Sequence, residues 1–530
     1  MDILRKSTIT PLEGLSRIAQ QQPQLSAITF GAILSIVIYL LSKPDPYNLR
    51  KVPVVKHPRI LDVYRSGSLW RFFLPRILPY VKEGYYKYSK NGKPFKIWSM
   101  GFQRWIYVLP AKYLARIKNI GVTELSFQHF VGEVLSPEFS TGHFDNFEIQ
   151  VASKLVNGNL SEIKPLIQIR TDEYLQQDIG DTHGEWKTFN GRALCLDMMK
   201  YVSGRVVFGA NLADNKTFTN SMERYTRNVI PSGLLPRFLN LGPLRKYFVY
   251  LVHLTQRHRL ATATHYVTEE IAERKRLGLL SEDEKPVDCI QWAMDQDIPD
   301  DAKTPENIAH RLLHLSVAII DTPALAMMNQ LYDIASYVDC LDELRAEITE
   351  CLAEAGGGWN ERAMSKMRKF DSFMQESFRH NPGLLALTGW RIVTSDTFRF
   401  DETFVLPKGK TIVFPSICIA HDPDIHPDPA KFDPLRFYKI KEEDRKASSS
   451  SIHKDIRTEW LMFGYGRQAC PGRFYSLRLL KTIIGELILR YDIRYAGGDR
   501  PRPDSVDLDP IFLADTSIDL EFRSRGRGSG

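Results

Sequence analysis

The most informative stretch of this chain places a single cysteine in a glycine-rich turn, residues 463–472. It reads F-G-x-G-x-x-x-C-x-G and delivers Cys470 to the start of a helix-forming run at 474–489. Gly464 and Gly466 allow backbone conformations closed to other residues, so that the loop can lie flat against a planar ligand. The N–H groups and positive dipole end of the following helix favour the thiolate form of the cysteine. Such a thiolate suits the axial position of a haem iron, whereas the plain alternative is an ordinary buried cysteine beside a turn.

Two further stretches combine charged and apolar residues. Glu376 and Arg379 are one helical turn apart and share a helix face, where such pairs commonly lie in solvent. Residues 312–328 are almost wholly apolar, yet they contain Asp321 and Thr322. A carboxylate in an apolar run is costly unless it is paired or takes part in chemistry. The alternative for Asp321 is a helix N-cap, because Asp-Thr-Pro is also typical of a helix start.

The order of these motifs resembles that of the cytochrome P-450 family. Residues 318–322 resemble its oxygen-activating helix, residues 371–379 contain its E-x-x-R, and residues 432–437 resemble its F-x-P-x-R-F segment, ahead of the cysteine motif. The resemblance covers roughly residues 50–525 and points to fungal members that oxidise terpenoid and related secondary metabolites. It implies the family's fold, mainly α with a smaller β-rich region, and a haem b cofactor whose iron is bound by the cysteine thiolate.

The resemblance also implies roles for individual residues. The haem contacts would be the cysteine ligand, the loop around it and two propionate donors: Cys470, Phe463, Gly464, Gly466, Gly472, Arg391 and Gln468. Glu376, Arg379 and Arg436 would form a buried ion network that braces the haem-binding loop. Asp321 and Thr322 would be the acid–alcohol pair that relays protons for oxygen cleavage.

Three features depart from the family pattern. Gln468 stands where a cationic Arg or His usually binds a propionate. The family's W-x-x-x-R helix is not visible in residues 120–165, where Lys154 is one candidate substitute. Ile319 stands where a glycine usually opens a groove for oxygen, and Pro323 follows the threonine. Because Pro323 cannot donate to the carbonyl of Ile319, we expect a backbone kink to provide that opening.

Composition fits one large catalytic unit. No Pro/Gly/Ser-rich linker divides the 530 residues after residue 60, and a hydrophobic content of 43% is ample for a core. The net charge of +7 is modest, and no basic block interleaved with aromatic residues suggests a nucleic-acid partner. The six cysteines lack C-x-x-C spacing, which argues against a zinc site or a disulfide framework and favours a reducing compartment.

An uncharged stretch of 18 residues at 25–42 is predicted to anchor the chain in a membrane. As a helix it would be roughly 27 Å long, close to the apolar thickness of a thin bilayer; a core helix is the alternative. Basic residues cluster in the downstream flank, so the positive-inside rule places the rest of the chain in the cytosol, at the endoplasmic reticulum membrane by resemblance. The expected organisation is an N-terminal segment at 1–24, a transmembrane anchor at 25–42, a hinge at 43–56, a haem-thiolate domain at 57–525 and a disordered tail at 526–530.

Short β-type runs at 95–98 and 105–109 predict a hairpin, and a second β-rich patch is expected at 390–414. Between them the pattern is mostly helical, with a break predicted at 231–236, where two prolines lie.

The function implied by the resemblance is a membrane-anchored monooxygenase that acts with O2 on a bulky apolar, terpenoid-like metabolite. Electrons would come from NADPH through a separate P-450 reductase, optionally aided by cytochrome b5, because the chain shows no flavin or nucleotide domain of its own. Substrate contacts are expected in residues 100–150, 224–255 and 511–513. Two other functions stay open: a haem-thiolate isomerase or cyclase that does not activate oxygen, and a membrane-tethered binding protein whose haem is absent or silent.

Overall fold

The structure of the chain is a computed structural model that describes most of the sequence. The described residues are 45–55, 76–99, 102, 104–135, 151, 156–238, 245–278, 285–296, 303–383, 387–443, 461–508 and 511–526. The chain divides into two compact units, Met1–Val52 and Pro53–Gly530. In the first unit the described residues include a short 3-10 turn, Leu49–Lys51. The predicted anchor at 25–42 lies outside the described residues, as do residues 1–24 and 527–530.

Helices dominate the second unit. In chain order the α-helices are α1 Leu78–Lys87, α2 Leu114–Ile117, α3 Phe127–Leu135, α4 Leu160–Tyr174, α5 Gly191–Ala213, α6 Lys216–Phe238, α7 Arg245–Leu277, α8 Cys289–Asp295, α9 Pro305–Ser316, α10 Thr322–Ser336, α11 Leu341–Glu354, α12 Glu361–Lys366, α13 Arg368–His380, α14 Ser416–Ala420, α15 Arg436–Glu443 and α16 Arg473–Arg490. Turns of other helical types are the 3-10 turns Ser89–Asn91, Ala111–Tyr113, Val338–Cys340 and Gly466–Gln468 and the π turns Leu175–Ile179 and Val317–Asp321. The prediction of a mainly α fold is confirmed over these residues.

Small sheets supply the β-rich portion. The strands are β1 Phe95–Ser99, β2 Arg104–Val108, β3 Leu125–Ser126, β4 Lys187–Asn190, β5 Thr388–Val393, β6 Thr397–Arg399, β7 Val405–Pro407, β8 Thr411–Phe414, β9 Tyr491–Tyr495, β10 Val506–Leu508, β11 Ile511–Leu513 and β12 Asp519–Ser524. The five-stranded sheet has the order β1-β2-β8-β5-β3, and the other sheets are β4-β12-β9, β10-β11 and β6-β7. Strands β1 and β2 form the predicted antiparallel hairpin, with Phe95 opposite Val108. The β5–β8 ladder is irregular between Thr388 and Arg391, so one of the predicted haem contacts lies on a distorted strand.

A long helical rod runs through the core as α9, the π turn Val317–Asp321 and α10. Thr304 caps its start by accepting a hydrogen bond from the N–H of Asn307 at 3.2 Å. The rod is long and apolar enough to cross a membrane, but 83% of its most apolar window is buried inside the protein. It is therefore a core helix, and α5, α13 and α16 pack against α10. Helices α5 and α6 also pack against the π turn, which places their side chains next to the predicted acid–alcohol pair.

The predicted break at 231–236 is wrong. Helix α6 runs on through both prolines to Phe238. A proline inside a helix costs about 3 kcal/mol, and the packing of α6 along α7 outweighs that cost. Phe218, Met222 and Tyr225 of α6 belong to the hydrophobic core, so local propensity gives way to tertiary burial.

Candidate active site

The cysteine motif forms a tight loop ahead of α16. The N–H of Cys470 donates to the carbonyl of Phe463 at 2.8 Å and closes the loop. Gly464 and Gly466 have φ angles of 74° and 70°, in the left-handed region that favours glycine. A side chain at Gly466 would also collide with the backbone of Lys118. The second glycine is therefore needed for the packing of the loop as well as for its conformation.

The sulfur of Cys470 lies at the N-terminal end of α16. The backbone N–H groups of Gly472 and Arg473 donate to it. Burial nevertheless raises the pKa of the Cys470 thiol, and these N–H groups and the Arg473 guanidinium offset only part of that effect. A thiolate at this position therefore needs more positive charge, which a ligated metal ion supplies. Within the described part of the chain no group of three His, Cys, Asp or Glu side chains could hold a metal ion.

Arg391, on β5, is a buried cation. Its side chain is among the largest that are fully buried, with 1% of the residue exposed. The guanidinium donates to the carbonyls of Ile117 at 3.0 Å and Tyr465 at 2.8 Å. Burial lowers the pKa of Arg391 to about 10, and no described carboxylate pairs with it. Because a buried cation without a counter-charge is costly, this position suits an anionic group of a ligand, such as a haem propionate.

Gln468, the second predicted propionate donor, is bonded to the protein backbone. Its amide N–H groups donate to the carbonyls of Leu125 at 2.6 Å and Ile120 at 3.2 Å. Its side-chain carbonyl accepts from the N–H of Phe127 at 2.9 Å. These bonds tie the cysteine loop to β3 and to the start of α3. A propionate contact would replace one of them, and the propionate role of Gln468 stays a prediction.

Glu376, Arg379 and Arg436 form an ion network in the interior. Nε and Nη2 of Arg379 donate to the carboxylate of Glu376 at 2.8 and 2.9 Å, and Nε of Arg436 donates to it at 3.1 Å. The N–H of Asp433 adds a further bond at 3.0 Å. Burial alone would raise the pKa of Glu376, but the hydrogen bonds from Arg379 and its neighbours outweigh burial and hold that pKa far below its usual range. Since Glu376 and Arg379 are 0% and 1% exposed, the alternative of a solvated surface pair is wrong.

Helix α13 connects this network to the cysteine loop. Phe378, one residue before Arg379, meets the ring of Phe463 edge to face, with ring centroids 6.1 Å apart. Arg379 also donates to the carbonyl of Ala420 at 2.8 Å, so α13 is held to α14 as well. The network thus holds α13 in place, and Phe378 of this helix packs on Phe463, the first residue of the cysteine loop.

One face of the core rod is exposed at Ala318 and Thr322, and we call it the open face. Ala318 and Thr322 are exposed although most of their neighbours are buried, and they lie one helical turn apart. The hydroxyl of Thr322 donates to the carbonyl of Ala318 at 2.7 Å. Ile319, at the usual glycine position, is only 7% exposed and does not belong to the open face. The π turn, which ends two residues before Pro323, widens the helix around Ile319, where the sequence predicts an opening.

Asp321 belongs to the same turn but is buried. Its backbone is helical and its side chain makes no capping bond, so the N-cap alternative is wrong. Nη2 of Arg192 lies 3.5 Å from Oδ1 of Asp321. Burial raises the pKa of Asp321, and attraction to Arg192 offsets only part of that rise. A carboxyl group that takes up a proton more readily than usual is suited to proton transfer.

Arg192 is a site residue that the sequence reasoning missed. It lies at the start of α5, 129 residues from Asp321 along the chain, and no motif marks it. The one sequence feature that could have drawn attention to Arg192 is its spacing from Lys200, because residues eight apart share a helix face. Only the packing of α5 on the core rod shows which carboxyl that face meets.

Comparison with known proteins shows which family the chain matches. Residues 150–520 match the family described as Cytochrome P450. The chain is 56% identical to Aspergilol synthase AuAP450 of Aspergillus ustus, over 99% of this chain and 97% of that protein. It is 45% identical to Cytochrome P450 monooxygenase sttB of Aspergillus terreus, over 94% of each chain. It is 32% identical to Cytochrome P450 monooxygenase sirB of Leptosphaeria maculans, over 94% of this chain and 95% of that protein.

Proposed function

Because this chain belongs to the cytochrome P450 family and is a cytochrome P450 monooxygenase, we propose that it inserts an oxygen atom of O2 into a bulky apolar, terpenoid-like secondary metabolite. Electrons come from NADPH through a separate P450 reductase, with cytochrome b5 as an optional donor. The observation that carries this proposal is the open helix face at Ala318 and Thr322, backed by the buried carboxyl of Asp321. A relative named as a synthase, similar over the full length, supports a biosynthetic substrate.

We assign the cofactor as haem b, which Cys470 would hold through its sulfur and Arg391 would hold through a propionate group. The residues fit such a group. The Arg391 guanidinium is buried and unpaired with any described carboxylate, and the Cys470 sulfur needs a positive partner to be a thiolate. When bound, the haem supplies the activation of dioxygen. The protein holds the cysteine through the Phe463 carbonyl and the glycine turn.

Asp321 and Thr322 supply protons at the open face. The Thr322 hydroxyl donates to the Ala318 carbonyl at 2.7 Å, and it can turn from that bond to a group in the open space. Asp321, the preceding residue, has a pKa raised by burial and can restore the proton that the hydroxyl gives up. The Ala318 carbonyl thereby fixes the resting position of the threonine hydroxyl.

The substrate site is assigned to the three segments where the sequence analysis expects substrate contacts, residues 100–150, 224–255 and 511–513. Residues 511–513 form β11, whose Phe512 is 9% exposed in its hairpin with β10. Residues 224–255 include parts of α6 and α7. In the segment 100–150, residues 136–150 lie outside the described residues. An apolar lining favours a bulky apolar molecule over a charged one.

We propose the endoplasmic reticulum membrane as the location, with residues 25–42 as a single anchor and the catalytic unit in the cytosol. The support is the uncharged run itself and the basic residues that follow it. Removal of that run and measurement of membrane attachment tests this part separately.

The deciding experiment reconstitutes the full chain with reductase in membranes. The ferrous carbon monoxide difference spectrum is recorded first, and the enzyme is then offered a panel of terpene hydrocarbons and alcohols under isotopically heavy O2. We expect the thiolate-type carbonyl band and a product that has gained one heavy oxygen atom in an NADPH-dependent reaction. A product of unchanged mass formed without NADPH would favour the isomerase, and absence of the band would favour the binding protein.

A further inference from the structure

A small cavity lies where α5, α6 and the π turn around Asp321 meet. It has room for about one water molecule. Its polar lining consists of Lys200, Glu223, Thr226, Arg227 and Asp321. Asp321 is the buried member of this set, and a buried carboxyl group is costly unless it is paired or does chemistry. A water-sized space against the proposed proton donor therefore calls for a functional account.

Helix geometry brings these side chains to the cavity from separate parts of the chain. On α5, Arg192 and Lys200 are eight residues apart and share a face. On α6, Glu223 and Arg227 are four residues apart and also share a face. Asp321 lies against both faces, because Nη2 of Arg192 is 3.5 Å from its Oδ1 and it lines the cavity together with Glu223 and Arg227.

Two buried polar atoms, one of Asp321 and one of Arg192, have no hydrogen-bond partner among the described residues. Oδ2 of Asp321 is buried and accepts no hydrogen bond within the described part of the chain, and Nη1 of Arg192 is likewise buried and donates none. The 3.5 Å between Nη2 of Arg192 and Oδ1 of Asp321 is longer than the roughly 2.7–2.9 Å of a strong charged hydrogen bond. Buried polar atoms of this kind are commonly satisfied by bound water. The cavity against Asp321 is large enough to hold one.

Exposure rises in steps from Asp321 to the surface. The side chain of Asp321 is 12% exposed, that of Glu223 25% and that of Arg227 62%. Glu223 accepts hydrogen bonds from Lys200 at 2.7 Å and from Arg227 at 2.5 Å. Burial would raise the pKa of Glu223, but the contact with Lys200 outweighs burial and lowers it, so the carboxylate stays charged. A charged acceptor midway between solvent and Asp321 can hold and orient a water.

We propose that this cavity is the proton inlet of the enzyme, in which a water positioned by the Glu223 carboxylate returns a proton to Asp321. The inference rests on the proposed relay from Asp321 to Thr322. In each transfer the O–H bond of the donor breaks as a new O–H bond forms on the acceptor. The water regains its proton from bulk solvent on the side of Arg227. Monooxygenation needs such a supply, since one oxygen atom of O2 leaves as water. Glu223 is a positioning residue, because it acts through the water.

The test compares Glu223→Gln with Asp197→Asn in the reconstituted holoenzyme. Asp197 is a matched control, because it also binds Lys200, at 2.9 Å, but is 52% exposed and does not line the cavity. The substrate is the first panel compound that the unaltered enzyme oxygenates. Product formed per NADPH and the rate ratio between H2O and D2O are measured. We expect Glu223→Gln to form about tenfold less product per NADPH, with a larger solvent isotope effect. Asp197→Asn should stay within about twofold of the unaltered enzyme.

Asp321→Asn, measured in parallel, separates the inlet from the relay on which it rests. If Asp321→Asn uncouples turnover while Glu223→Gln matches the unaltered enzyme, the inlet is overturned and the relay stands. If Asp321→Asn also leaves coupling intact, both are overturned. If Glu223→Gln fails to retain haem, Thr226→Leu is measured instead, because it fills the cavity without removing a charge. It should cause the same decrease in product formed per NADPH. A crystal structure of the holoenzyme should show a water bonded to Oδ2 of Asp321, and a dry cavity would overturn the proposal.

Discussion

Replacement of Glu376 by alanine should prevent the chain from accumulating as a folded, haem-loaded protein. The carboxylate is fully buried and accepts hydrogen bonds from Arg379, Arg436 and the N–H of Asp433. Alanine removes the shared acceptor and leaves two buried guanidinium groups without a counter-charge. The damage is therefore electrostatic and structural, with no catalytic step involved.

The magnitude follows from these contacts. Removal of one partner of a buried ion pair costs roughly 3–5 kcal/mol, and the unsatisfied N–H of Asp433 adds about 1–3 kcal/mol. A total of about 4–8 kcal/mol is comparable to the roughly 5–15 kcal/mol by which whole domains are stable. Glu376→Gln keeps the shape and one acceptor oxygen, so we expect it to lie between the alanine variant and the unaltered protein.

Glu361→Ala is the matched control. Glu361 also binds two cations, Lys164 at 2.9 Å and Arg478 at 2.6 Å, but its side chain is 57% exposed. Exposed pairs contribute about 0–1 kcal/mol each. Haem content per protein and the midpoint of urea unfolding are measured for both variants. If Glu376→Ala retains haem and unfolds at the midpoint of Glu361→Ala, the network does not stabilise the fold; slow turnover in that soluble variant would then mark Glu376 as functional.

Five further variants test the rest of the site and the predicted anchor. Cys470→Ala should abolish the thiolate-type carbonyl band of the reduced protein, and an unchanged band would exclude Cys470 as the ligand. Asp321→Asn should raise stability at neutral pH by roughly 0.5–2 kcal/mol, because burial raises the pKa of Asp321 in the folded state and so penalises its charged form. That gain should shrink as the pH falls towards the ordinary carboxyl pKa, which urea unfolding at neutral and mildly acidic pH will show. Pro323→Ala restores an N–H that can bond to the carbonyl four residues back and so close the opening beside Thr322. We therefore expect this variant to consume more NADPH per product formed, and we expect the same of Thr322→Ala. If Pro323→Ala keeps full coupling, the proline does not contribute to the opening. Deletion of residues 1–43 should weaken membrane attachment in flotation assays and keep the carbonyl band, and loss of haem would contradict an anchor that is separate from the fold.

The motifs that the sequence identified are those whose residues are close together along the chain. The cysteine loop needs only ten consecutive residues, and its two positive φ angles follow from glycine chemistry. Glu376 and Arg379 share one turn of one helix, so their pairing follows from helix periodicity. Family membership, and with it the monooxygenase class, rested on these local patterns and is confirmed by the comparisons.

Contacts between segments that are far apart along the chain could not be predicted from the sequence. Arg192 and Glu223 belong to α5 and α6, and only tertiary packing brings them to Asp321. Gln468 illustrates the same limit, because its position in the motif gave no sign that Leu125 and Phe127 would engage its amide. Whether a buried polar group binds protein or ligand depends on which backbone groups face it, and a motif does not encode that.

The region around Ile319 shows how a backbone irregularity can change the structural effect of a large side chain at a position where the family usually has glycine. In a regular helix, a β-branched side chain in place of the family's glycine would be expected to fill the oxygen groove. The rod instead contains a π turn, Val317–Asp321, which inserts extra backbone and shifts the side chains that follow around the helix axis. Ile319, within this turn, is buried, while Ala318, the smallest side chain of the turn, lies on the open face. Pro323 favours this arrangement, because it has no N–H with which to close the regular bond to the Ile319 carbonyl. We therefore expect the isoleucine to be compatible with an open face only while the proline is present, and uncoupled turnover in Pro323→Ala would show that the two residues act as one adaptation of the helix.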